Sequence, residues 1–117
     1  AAARLTDRIP ALRIVLDHLP FEKPAPLAEL KGRAGVFAKV SNFWTAPGWA
    51  EAAEGVFQAF GEDRVIFGSN WPVSLRQGSY AEVLSRAQGF IRPHGERARR
   101  KYFLENSRAA YRWGMAR

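Results

Sequence analysis

Three short apolar runs punctuate the chain, and each ends in polar residues. Leu12, Ile14, Val15 and Leu16 lead into Asp17-His18-Leu19-Pro20. The second run, Val36 to Phe43, is interrupted by Lys39 and carries Ser41 and Asn42 near its end, and Val65-Ile66-Phe67 leads into Gly68-Ser69-Asn70-Trp71-Pro72. Runs this short predict strands, the third buried on both faces, and the prolines that follow end the ladder because they lack an N–H. Helical spacing fills the intervals. Trp49, Ala52, Ala53, Val56, Phe57 and Phe60 lie on one face of a helix that Gly61 stops, and Ser79-x-x-Glu82 is a capping box opening a second helix with the stripe Tyr80, Val83, Leu84, Ala87 and Ile91. Pro93, His94 and Gly95 break it, which places His94 in a surface loop. Elsewhere, Leu5 and Ile9 predict a helix ended by Pro10. Residues 21–26, bounded by prolines, predict a loop, and residues 27–31 a short helix. A basic helix is expected over about 96–104, and Asn106 is the expected N-cap of a final short helix carrying Ala109, Ala110, Tyr111 and Trp113.

Strands alternating with helices predict an α/β fold of parallel strands joined by right-handed crossovers. In such a sheet all carboxyl ends share one edge, which is where ligands bind. The residues delivered there are Asp17 and His18, Lys39 and Ser41, Ser69 and Asn70. Period two sends Asp17 to the face opposite His18, which predicts a structural role for Asp17.

Composition narrows the class. With 117 residues, 47% of them hydrophobic, the chain is expected to form a single domain over 1–117. It has no cysteine, so neither disulfides nor thiolate metal sites are available. No apolar run nears the ~18 residues that span a bilayer, and the charged N-terminus is unlike a signal peptide, so a cytoplasmic protein is expected. The net charge of +7 is uneven: residues 86–117 hold nine Lys and Arg against two Glu. Such a segment predicts either a solvated helix face or a surface for nucleic acid or another polyanion. Tyr102, Phe103, Tyr111 and Trp113, at helical spacing, favour packing.

Leu-Asp-His-Leu-Pro, Phe-Ala-Lys-Val-Ser-Asn-Phe, Phe-Gly-Glu-Asp-Arg-Val-Ile-Phe-Gly-Ser-Asn-Trp-Pro-Val, Gly-Ser-Tyr-Ala-Glu and Glu-Asn-Ser-Arg-Ala-Ala-Tyr together resemble the C-terminal part of the amidohydrolase-related family, (β/α)8-barrel hydrolases that include sugar lactonases. The resemblance implies that the strands are equivalent to the last three (β/α) units of a TIM-type barrel. A single chain of this length is then incomplete, since a barrel takes about 250 residues. It implies hydrolysis of a lactone of a small sugar acid by activated water. His18 becomes a catalytic residue and, where the family uses a divalent metal (zinc or manganese), a metal ligand. Lys39 and Ser41 become substrate-binding residues, and Trp71 either packs or stacks on a sugar ring. Asn70 stands where the family most often has an aspartate; it cannot take a proton at neutral pH, and holds a water or a hydroxyl instead. The family's His-x-His pair has no counterpart, the only histidines being His18 and His94. The implied partners are a small-molecule substrate and either a second copy or a missing N-terminal barrel half to cover the open sheet edges. A non-catalytic assembly module is the alternative reading, and a binder of nucleic acid a further one.

Overall fold

The computed structural model describes residues 2–18, 25–42 and 45–114. Three parallel strands, β1 (Ile14–Leu16), β2 (Val36–Val40) and β3 (Val65–Phe67), form one sheet in sequence order. Leu16 pairs with Ala38, Ala38 with Val65, and Val40 with Phe67, so the three strands finish nearly level. Helix α1 (Ala2–Arg8) precedes β1, α2 (Ala25–Ala28) precedes β2, and α3 (Trp49–Phe60) joins β2 to β3. After β3 come a 3-10 turn (Val73–Arg76), helix α4 (Tyr80–Ile91) and a second 3-10 turn (Arg92–His94).

The chain then runs without a break through α5 (Gly95–Arg100), a π-helical turn (Lys101–Glu105) and α6 (Asn106–Tyr111). Asn106 is therefore no N-cap. It lies inside the helix, 4% exposed, and donates from Nδ2 to the carbonyls of Glu62 (2.7 Å) and Val65 (2.9 Å). The extra residue of a π turn swings a side chain out of the ordinary register; here the turn lies directly before the residue that reaches β3.

Alternation along the strands sorts the core into two faces. Val36, Ala38, Val40 and Val65 pack under Ala53, Val56 and Phe60 of α3, Val83, Ala87 and Ile91 of α4, and Ala98 and Tyr102 beyond them. Phe37 and Ile66 form a second, smaller cluster with Ala110 of α6 and the half-buried Val15. Lys39 shares the parity of Phe37, so it belongs to this second face. The capping box of α4 forms as its sequence predicts, with Glu82 N–H donating to Ser79 Oγ at 3.3 Å and Ser79 N–H to Glu82 Oε2 at 2.6 Å. The Gly61 N–H closes α3 on the carbonyl of Phe57, with φ 74°.

Several expectations are corrected. The second strand stops at Val40, because Asn42 takes a left-handed conformation (φ 68°); Phe43 is outside the described residues, as are Leu19 and Pro20 after the first strand and residues 21–24 of the expected loop. The short helix covers Ala25–Ala28 rather than 27–31. His94 is not a loose surface residue. Its ring stacks on Phe57 with centroids 3.9 Å apart, and Nε2 lies 2.8 Å from Glu54, which pins the end of α4 to α3. Tyr102 is a core residue as expected, but Tyr111 and Trp113 are 49% and 47% exposed. The cations of the expected basic helix are engaged within the chain: Arg97 pairs with Glu62, Arg99 with Glu96, Arg100 with Glu105, and Lys101 with both Glu62 and Asp63. Among the described residues no helix is long and apolar enough to cross a membrane.

Candidate functional site

The three strand ends open into one cleft of about 470 Å³, lined by Asp17 and His18 from β1, Lys39 and Ser41 from β2, Gly68 to Trp71 from β3, and Ser107 and Tyr111 from α6. Every predicted site residue is there: His18, Lys39, Ser41, Asn70 and Trp71.

Backbone conformation marks the place. Among the described residues, four without a glycine's freedom have positive φ, and three of them follow the strands: His18 (50°), Asn42 (68°) and Asn70 (54°). Left-handed backbone costs a non-glycine residue roughly 1–3 kcal/mol, and such costs concentrate at functional sites. At His18 the turn breaks the period of two, so Asp17 and His18 both line the cleft; the expectation that Asp17 points away from His18's face is corrected.

His18 Nδ1 lies 2.8 Å from Ser41 Oγ, and Ser41 is 1% exposed. A buried hydroxyl thus fixes the ring, and Nε2 is the nitrogen left to meet a ligand. Asn70 Nδ2 donates to Asn42 Oδ1 at 2.7 Å, tying the end of β3 to that of β2. Gly68 permits the close approach of these two ends: a Cβ there would meet Lys39 Cδ at 2.7 Å and Ser41 Cβ at 2.8 Å. Trp71, joined to Pro72 by a cis peptide bond, is 62% exposed. It is therefore not a packing residue, and its indole is available at the rim.

Lys39 is the cationic centre. Its Nζ lies 2.7 Å from Asp17 Oδ1 and 5.7 Å from the centroid of the Tyr111 ring. Burial is the largest single influence and lowers the pKa of this ammonium, but the hydrogen bonds and charges of Asp17 and Tyr111 together outweigh it and raise the group above its ordinary 10.5. Lys39 is charged at every physiological pH.

Asn42, Ser107 and Tyr111 were not expected at the site. A signal for Asn42 was available, since the dipeptide Ser-Asn recurs at the ends of β2 (41–42) and β3 (69–70). For α6, Ser107 and Tyr111 are i and i+4 and so share a face.

The fit to a metal is poor. A zinc centre takes three or four ligands. Among the described residues no group of three or more His, Asp or Glu is placed to hold one, and Asp17, next to His18 in the chain, is paired with Lys39. The described residues of the cleft offer a metal one imidazole nitrogen.

Residues 1–113 match the family described as Amidohydrolase. The chain belongs to the amidohydrolase family. It is 32% identical over 93 residues to an L-fucono-1,5-lactonase of Burkholderia ambifaria, a match covering 64% of this chain and 31% of that protein. It is 34% identical over 73 residues to an L-fucono-1,5-lactonase of Burkholderia multivorans, covering 52% and 25%. Among solved structures, an amidohydrolase from Burkholderia multivorans with bound zinc superposes with a TM-score of 0.78 at 26% identity, over 95% of this chain and 48% of that one. The fold is shared too with an amidohydrolase 2 from Bifidobacterium longum subsp. infantis, TM-score 0.69. The amidohydrolase chain thus spans a third or less of its curated relatives and about half of the solved chains.

Proposed function

We propose that this amidohydrolase chain carries the hydrolytic half of a barrel's mouth and acts on a lactone of a small sugar acid. The observation that supports it most is the single cleft at the strand ends that His18 and Asn70 line together with the charged Lys39. The relatives named as L-fucono-1,5-lactonases support the substrate class.

In this reading a water held by the Asn70 amide attacks the lactone carbonyl. His18, oriented through Nδ1 by Ser41, takes the water's proton at Nε2, and the developing oxyanion is stabilised by the Lys39 ammonium. Collapse breaks the ring C–O bond, His18 returns the proton to the departing alkoxide oxygen, and a hydroxy acid results. Trp71 lies beside the sugar ring at the rim.

The chain corresponds in this reading to the last three (β/α) units of the barrel. Its outer strands, β1 and β3, each have a strand partner on one side only among the described residues, and their free edges call for a preceding barrel half or a second copy.

Proton release from a panel of sugar-acid lactones tests the reading. Turnover by the native chain should fall at least 100-fold in His18→Ala, the scale of a lost general base. Equal rates for the native chain and the variant on every lactone would overturn it.

A further inference from the structure

Tyr111 belongs to the cleft for a reason other than packing. It is half exposed, it sits one turn beyond Ser107 on the face of α6 that lines the cleft, and its ring centroid lies 5.7 Å from the Lys39 ammonium. An ammonium has three N–H groups and no acceptor, and a phenol has one O–H to donate. Asp17 engages the ammonium at 2.7 Å. Lys39 and Tyr111 bring their donors to the same cleft wall.

We propose that Lys39 and Tyr111 form a two-donor subsite for the carboxylate of a small hydroxy acid, so that the cleft retains the ring-opened acid by its carboxylate and is inhibited by it. Two adjacent donors, one of them charged, match the two oxygens of a carboxylate; a lactone carbonyl, with one oxygen and no charge, engages them less well. Asp17 opposes this, since its own negative charge lies 2.7 Å from the same ammonium. The subsite therefore has a built-in weakness that lets the acid leave. The inference rests on the hydrolase reading for its biological sense, although the binding it describes does not require turnover.

Isothermal titration of the full chain with sodium gluconate, and with sorbitol as the uncharged polyol of similar size, tests the proposal. The native chain should prefer gluconate. Tyr111→Phe keeps the ring and removes the proton donor, and should weaken gluconate about three- to tenfold while leaving sorbitol unchanged. Lys39→Met should abolish the preference. Asp17→Asn should tighten gluconate, whereas a site for neutral polyols predicts no gain. All three side chains lie at the cleft wall outside the buried core, and circular dichroism checks that each variant is folded. No preference for gluconate in the native chain, or an unchanged affinity in Tyr111→Phe, overturns the subsite. Gluconate bound through Lys39 and Tyr111 by a chain that hydrolyses no lactone would sustain the subsite while refuting the hydrolase reading. Turnover lost in His18→Ala with gluconate affinity indifferent to Tyr111 would do the reverse.

Discussion

Single residues decide both the chemistry of the cleft and one weakness of the core. Tyr102 is 1% exposed among the rings of Phe67, Phe90 and Phe103, and its hydroxyl has no partner among the described residues. Burial raises its pKa well above the ordinary 10.0. A raised acid keeps its proton in the folded state after the unfolded chain has lost it, so the folded state binds more protons above about pH 10 and stability falls as pH rises. Lys39, also raised, acts in the same sense at higher pH still. Urea unfolding followed into the alkaline range should show this decline, with a slope of up to about 1.4 kcal/mol per pH unit from the tyrosine. Tyr102→Phe should be as stable as the native chain at neutral pH and should decline less steeply; an identical alkaline slope in the variant would show that the buried phenol is not the cause. The residues of the site were legible where chemistry announces itself, as in His18, Lys39 and Asn70. Asn42 and Tyr111 were not, because neither identity nor spacing tells that a left-handed turn will lay one amide against another, or that a helix end will stop beside a strand. The direction of His18 was not legible for a related reason: alternation holds only while the backbone stays extended, and it ends there, which brings His18 to the cleft beside Asp17.

At the level of elements, β3, α3 and α4 were readable because local signals and burial agree. The Trp49–Phe60 stripe faces the core, Gly61 ends it, and Ser79 with Glu82 opens the next helix. The C-terminal rod was not readable, since a π turn has no composition of its own and Asn106 looks like a cap in any sequence. Its position between two carbonyls of the β3 region makes a definite forecast. Asn106→Ala leaves the buried Val65 carbonyl without that donor and should destabilise the chain by about 1–3 kcal/mol, measured as a shift in the urea midpoint. Asn106→Asp should cost more than the alanine, because a carboxylate oxygen then faces those same carbonyls. A variant as stable as the native chain would mean that the rod is held to β3 by packing alone.

For the whole molecule, a parallel sheet of three strands is an arc with two outer edges. Light scattering on the isolated chain should therefore report a dimer or larger species that dissociates on dilution. A monomer with native helical content at all concentrations would rule out pairing of copies through those edges. No local pattern in the sequence could specify what covers them, since edge pairing depends on surfaces outside these residues. The last turn of α6 is secured differently, by the Arg13 guanidinium on the Ala110 carbonyl (2.9 Å), with the Tyr111 ring beside Lys39. Anchorage and recognition are thus adjacent but separable: loss of the Tyr111 side chain would take a donor from the cleft wall while Arg13 still holds the helix, so affinity there can fail in a molecule whose sheet and helices stand.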